Sequence, residues 1–415
     1  MLLVLALGAA SAASCAPSPQ PPQAWVAAWT ASPHAADPDP DQPLLNIEGQ
    51  TVRERVRLFV GAPSLRIRLS NEQGTTPLTI GAATVALARD SHSVEAESLK
   101  TLTFGGRGSV TIPPGAPVVS DPIDLAVPAG AELGVSLYFP ERLGTPTIHG
   151  LALKRAVITA RGDFTRAPRI DAQTTSESSV LMTAVLIPAR PGQKLVVAFG
   201  DSITDGDGSS VEVERNWPSV LARRLNAREA RAPILVVNAG IAGNRLLADG
   251  FGIKALGVSA LARFDRDVLA IPGVTHVVLL EGVNDIGFPG ATLGAQALAD
   301  ASETRSAADL IGAYRQLITR AHARGLKMIG ATLTPFEGVD VPGYYSAEKE
   351  AVRQRVNAWI RTGGAFDGVI DFDAVLRDRA HPSRMQARYA SPDQLHPNDT
   401  GYQAMADAID LSLFE

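Results

Sequence analysis

The spacing of apolar residues changes once along this chain, near residue 190, and that change restricts it to two architectures joined in series. Ahead of the change, Val56-Arg57-Leu58-Phe59-Val60 and Leu65-Arg66-Ile67-Arg68-Leu69 alternate with the period of two of strands that bury one face. Further strand-like runs are Leu78 to Leu87, Lys100 to Phe104, Ser109 to Ile112, Ile123 to Val127, Leu133 to Phe139 and Val180 to Ile187. Turn-forming clusters such as Ser70 to Gly74 and Pro113-Pro114-Gly115 punctuate them. Short strands with no helical pattern between them predict a β-sandwich over 24–188.

The segment Pro188 to Gly192 breaks this pattern, and over 192–415 short apolar runs alternate with helical stretches. Leu195 to Phe199, Ile234 to Asn238, His276 to Leu280, Lys327 to Leu333 and Gly368 to Phe372 suit strands covered on both faces. A helix is expected from Ser306, where Ser306 and Asp309 form a capping-box start, to Gly325, and others over Ser346 to Arg361 and after Thr400. The expected fold class is therefore α/β: a flavodoxin-like three-layer α/β/α unit with a five-stranded parallel sheet, preceded by an all-β unit. In such a sheet ligands bind at the carboxyl ends of the strands, which selects the residues to inspect.

At 415 residues and 45% hydrophobic, the chain exceeds one ordinary domain. A net charge of -5 without Lys/Arg runs argues against nucleic acid as a partner. The apolar run Leu2 to Ala13 is too short to span a bilayer and reads as a secretory leader over 1–23, so export to the periplasm or the extracellular space is expected. Cys15, the only cysteine, excludes an intrachain disulfide; Ala12-Ala13-Ser14-Cys15 reads either as a lipobox, with a lipid anchor at Cys15, or as an ordinary cleavage site. His/Cys clusters and a His-Glu-x-x-His pattern are absent, so no metal or cofactor is expected.

Directly after the first strand of the second half comes Gly200-Asp201-Ser202-Ile203-Thr204-Asp205-Gly206. This places the Ser202 hydroxyl at the sheet edge, where it needs a base to become a nucleophile. Of seven histidines, His396 in Asp393-Gln394-Leu395-His396-Pro397 has the suitable setting. Asp393, three positions earlier, is placed to take the Nδ1 proton and leave Nε2 for Ser202. His381 is a distant second candidate, and His34, His92, His149, His276 and His322 read as structural or surface residues. Donors for an oxyanion are expected at Gly243, within Asn238 to Asn244, at Asn284, within Glu281 to Asp285, and at the Ser202 backbone N–H.

With these blocks in order, the chain from about Lys194 to its end resembles the SGNH (GDSL) hydrolase superfamily. The resemblance implies nucleophile Ser202, base His396, orienter Asp393 and oxyanion donors Ser202, Gly243 and Asn284. More weakly, Trp29 to Pro33, Gln50 to Arg53 and Leu65 to Gly74 resemble the jelly-roll-like region that precedes the hydrolase in a subgroup of secreted bacterial members.

Asp201, Asn244, Asp285, Ile286 and Phe288 lie in or beside these blocks and are candidates for substrate contact, with loop-holding the favoured role for Asp201 and Asp285. The long connection from Ile286 to Arg305 is a candidate pocket lining. The Arg53, Arg55, Arg57 and Arg66, Arg68 alternations read as a solvated strand face. The expected activity is hydrolysis of small acyl or aryl carboxylic esters through an acyl-enzyme. The alternative is a polysaccharide O-acetylesterase or O-acyltransferase, with the front region engaging an acylated glycan. The absence of Gly-x-Ser-x-Gly argues against the α/β-hydrolase fold.

Overall fold

A computed structural model of the chain describes residues 23–37, 43–228 and 232–415; the run Leu2 to Ala13, expected to be part of a leader, and Cys15 lie outside them. The front region is antiparallel. Its main strands are Trp25–Thr30 (β1), Gln50–Arg57 (β2), Arg66–Ser70 (β3), Ala82–Leu87 (β4), Glu132–Phe139 (β5), Ala156–Arg161 (β6) and Met182–Pro188 (β7). A six-stranded sheet runs Thr174–Ser176, β6, β2, β5, β4, Lys100–Thr101, and a four-stranded sheet runs β1, β7, β3, Pro117–Val119.

Several expected runs are adjusted. Ile123 to Val127 forms only the bridges Leu65–Ile123 and Ala62–Val127. Pro122 and Pro128 bracket it without amide hydrogens to extend a ladder. The strand expected at Val56 to Val60 instead ends at Arg57, and Leu78 to Leu87 is interrupted at Gly81.

The arginine stripe is not a solvated face. Arg53 is buried and donates to Ser136 Oγ at 2.8 Å and to the carbonyls of His92 and Ala167 at 2.9 and 2.7 Å. Register sets Glu132 opposite Arg57, and the second half supplies Glu212 and Glu214. Arg55, Arg57 and Lys154 therefore meet acids from both halves instead of water.

Beyond Gly192 the sheet is parallel. Its strands are Lys194–Gly200 (β8), Ile234–Gly240 (β9), His276–Leu280 (β10), Lys327–Ala331 (β11) and Gly368–Ile370 (β12), in the order β9-β8-β10-β11-β12. The second strand in sequence stands at the edge beside the first, and the third lies on the first strand's other side. This puts the topological switch at the carboxyl end of β8. Leu195 to Phe199 and Val277 to Leu280 are fully covered, as their unbroken apolar runs require.

The helices are Ser202–Asp205 (α1), Trp217–Asn226 (α2), Ala260–Phe264 (α3), Val283–Gly287 (α4), Ala307–His322 (α5), Ala347–Thr362 (α6), Phe372–Leu376 (α7) and Asp399–Asp407 (α8). In α5 the reciprocal Ser306–Asp309 cap forms, and Leu310, Ala313, Tyr314, Leu317, Ile318 and Ala321 face the core. None of the described helices is long and apolar enough to cross a membrane.

Candidate active site

The turn after β8 has no room for a side chain at its first residue: a Cβ on Gly200 would collide with the Leu280 carbonyl oxygen and the Thr204 hydroxyl. Asp201 follows as the N-cap of α1, accepting from Ile203 N at 3.0 Å, and Ser202 opens the helix. The first amide of a helix has no intrahelical acceptor, so the Ser202 N–H is available at the sheet edge. Ser202 Oγ lies 2.8 Å from His396 Nε2, and His396 Nδ1 lies 2.5 Å from Asp393 Oδ2.

The loop that presents this histidine is held by its own aspartate. Asp393 Oδ1 accepts from Ser391 Oγ at 2.7 Å and from the Leu395 and His396 amides at 2.9 and 3.0 Å. Gln394, between them, takes φ +60, the left-handed turn that lets residue 393 fold back onto residue 396. Partial burial raises the Asp393 carboxyl, but the His396 bond, its charge and the backbone amides outweigh that and hold it well below the usual carboxylate range. Burial lowers His396. Asp393, Asp207 and Asp201 nevertheless bring it above an ordinary imidazole.

Asn284, in the first turn of α4, donates one amide hydrogen to Asn244 O at 2.9 Å, and its Oδ1 accepts from Tyr344 O–H at 2.8 Å. The two contacts fix the amide's orientation, and the second Nδ2 hydrogen has no acceptor among the described residues. The turn carrying Gly243 is pinned against the Gly200 to Asp205 segment: Ile241 N donates to Gly200 O at 3.1 Å and Ala242 N to Asp205 Oδ2 at 3.1 Å. Gly243 has φ +71, and a Cβ there would collide with Leu256 Cδ2 and reach Phe288 Cζ at 3.7 Å.

Ser202, His396 and Asp393 are thus brought together, the Gly243 turn is bonded to Gly200 and Asp205 on either side of Ser202, and Asn284 is bonded to Asn244 of that turn. The candidates for substrate contact divide differently. Asp201 caps α1, and burial pushes its carboxyl up to about 7. Asn244 Nδ2 donates to Leu256 O and Val258 O at 2.8 and 2.9 Å, and its Oδ1 accepts from Arg263. Asp285 accepts from the Leu246 and Leu247 amides at 2.6 and 2.9 Å. All three are buried and turned inward, and Ile286 is a core residue, so these four hold loops instead of facing a ligand. Phe288 is also buried but lies against Gly243. The connection after Ile286 is ordered by a short hairpin, Thr292–Leu293 with Gln296–Ala297, and a 3-10 turn at Ala301–Glu303. His381 is exposed, in a turn closed by Asp378.

Sequence reading missed four contributors. Arg263, fully buried, donates to Gly200 O, Ala239 O and Asn244 Oδ1 at 2.7, 2.8 and 2.8 Å, tying the ends of β8 and β9 to the Gly243 turn. Tyr344 orients Asn284 from a loop without any periodic signal. Asp207 Oδ2 stands 3.7 Å from His396 Nε2, on the open side of the pair. His149 reaches in from the front region, with Nε2 3.0 Å from Asp205 Oδ1. Asp207 lies one residue beyond the Gly200 to Gly206 block, and nothing in its spacing gave its direction.

The profile of the GDSL-like lipase/acylhydrolase family matches residues 198–404. Among solved structures, the chain is similar to a putative lipolytic protein of the G-D-S-L family from Desulfitobacterium hafniense. That match has 21% identity, covers 52% of this chain and 96% of that one, and has a TM-score of 0.38. It is similar to a lipase/acylhydrolase from Enterococcus faecalis at 20% identity, 52% and 92% coverage and TM-score 0.38. It is also similar to the aryl esterase of M. smegmatis at 16% identity, 52% and 95% coverage and TM-score 0.39. No curated protein matches the chain.

Proposed function

Because residues 198–404 belong to the GDSL-like lipase/acylhydrolase family, a hydrolase family, we propose that this protein cleaves small carboxylic esters through an acyl-enzyme on Ser202. The observation that carries this reading is the relay of 2.8 Å from Ser202 Oγ to His396 Nε2 and 2.5 Å from His396 Nδ1 to Asp393 Oδ2. With Nδ1–H donated to Asp393, Nε2 is the nitrogen able to take the serine proton as Oγ bonds to the ester carbonyl carbon. The carbonyl oxygen becomes an oxyanion facing the N–H groups of Ser202 and Gly243 and the second amide hydrogen of Asn284. Its collapse expels the alcohol, which leaves with the proton from His396. Water, deprotonated by the same nitrogen, then attacks the acyl-serine and releases the acid.

The preference for a small acyl group is supported by Leu256 and Phe288, which pack against Gly243 and narrow the space beside the oxyanion. Residues 24–188 are the accessory region of this proposal, and an exported enzyme is favoured by the run Leu2 to Ala13. The test is hydrolysis of p-nitrophenyl esters of increasing chain length beside acetylated xylan and pectin, with Ser202→Ala as control. Turnover falling with chain length and abolished in the variant is expected. Activity retained by Ser202→Ala would reject the mechanism, and acetate release from glycans alone would replace the substrate.

A further inference from the structure

His149 belongs to the front region, yet its nearest charged partner lies three residues after the nucleophile. It ends the short strand Thr147–His149 and is buried, with Nδ1 3.1 Å from Ser32 O and Nε2 3.0 Å from Asp205 Oδ1. A backbone carbonyl only accepts, so Nδ1 carries a hydrogen, and the short Nε2–Oδ1 contact requires a second one between ring and carboxyl. Burial lowers His149, and the charge and hydrogen bond of Asp205 more than offset it, so the ring stands above an ordinary imidazole. The other titratable groups facing it are His34, with ring centroids 6.2 Å apart, and Glu54 on β2, whose carboxyl bonds Ser179 and Val180.

The other oxygen of Asp205 is the acceptor for Ala242 N, next to Gly243. The Asp205 backbone has no slack, since a Cβ on Gly240 would collide with its nitrogen. The front region touches the same turn from its far side as well. Asp37 accepts from Lys254 N and Ala255 N at 2.7 and 2.9 Å, fixing the 3-10 turn Lys254–Leu256 whose Leu256 covers Gly243.

Building on the ester-hydrolase reading above, we propose that His149 is a positioning residue for the oxyanion hole, acting through Asp205 on the Ala242-Gly243 turn. The front region is then part of the catalytic apparatus, and its removal disables chemistry even where substrate still binds. A donor displaced by about 1 Å costs on the order of a hundredfold in rate.

The test uses the full chain, comparing His149→Ala and His149→Gln in kcat and KM on p-nitrophenyl acetate, in phosphonate labelling of Ser202 and in urea midpoint. The Ala variant should lose about 10- to 100-fold in kcat with KM changed less than about twofold, and should label correspondingly slowly. The Gln variant, which keeps an N–H toward Asp205, should recover much of that loss. Combining His149→Ala with Asp205→Asn should cost no more than the worse single variant. If the Ala variant does not fold, His149→Phe, which fills the site without an N–H, replaces it, and the Gln variant should exceed it in kcat by about tenfold or more. Equal kcat in the Gln and the Ala or Phe variants, or a folded variant without the N–H at wild-type kcat, overturns the proposal. Ser202→Ala is run in parallel. An active Ser202→Ala defeats the hydrolase reading itself, whereas a dead Ser202→Ala beside a normal His149 variant defeats only this inference.

Discussion

On the proposed mechanism His396 must be uncharged at Nε2 to take the Ser202 proton, yet Asp393 at Nδ1, Asp207 near Nε2 and the charge of Asp201 favour its charged form. The alkaline shift this causes has a measurable sign. The rate should rise with pH through a value above the ordinary imidazole range of about 6.5. Asp207→Asn removes one stabiliser of the imidazolium, so the acid limb of kcat/KM should move to lower pH; a limb that stays or moves upward contradicts the electrostatic assignment. The convergence of Ser202, Asp393 and His396 was legible because chemistry restricts which side chains can pair in this way, although only Ser202 follows a strand and the loop carrying Asp393 and His396 lies between α7 and α8. The loop-holding reading of Asp201 and Asp285 agrees with their contacts, whereas Asn244 turns away from a ligand-facing position because adjacency in sequence does not say which way an amide turns. The deciding contacts are the Ile203 amide for Asp201, the Leu246 amide for Asp285 and the Arg263 guanidinium for Asn244.

The carboxyl ends of β8 and β9 are packed so closely that α1, which begins at Ser202, rests on Gly240 of β9. Gly240→Ala places a methyl against the Asp205 backbone nitrogen, where no flexible side chain can yield. It should cost on the order of 1–3 kcal/mol in urea unfolding together with a large loss of kcat. Ser306→Ala at the start of α5 should cost about 1 kcal/mol with kcat unchanged, because that cap touches no part of the site. If Gly240→Ala behaves like Ser306→Ala, the close packing is not what positions the nucleophile. The helices α5 and α6 and all five parallel strands were readable from periodicity and caps. The short antiparallel strands at Ala156–Arg161 and Pro117–Val119 were not, because their pairing depends on partners distant in sequence.

Across the whole molecule, buried charge joins the halves: Arg55, Arg57 and Lys154 from the front meet Glu212 and Glu214 from the back, and Ser32 and Thr30 reach Arg263 and Asn238. The arginine alternation was visible in sequence, but the acids that meet Arg55 and Arg57 lie between 75 and 157 residues away, beyond any local pattern. Close to that junction, burial pushes the Glu54 carboxyl up to about 7 despite its bonds from Ser179 and Val180. Its folded value exceeds its unfolded one, so its contribution is fully present below the unfolded value of 4.5 and is lost as pH rises through about 7. Between pH 5 and 8 the wild type should therefore lose more unfolding free energy than Glu54→Gln, by up to about 3 kcal/mol, and parallel pH profiles would refute it. The most direct test of ester hydrolysis through Ser202 is the intact mass of the full chain mixed with excess p-nitrophenyl acetate and quenched in acid, followed by peptide mapping. One added acetyl group on the peptide holding residue 202, absent in Ser202→Ala, is the expected result; turnover with the acetyl group elsewhere, or with none trapped while Asp393→Asn also accumulates none, would contradict it.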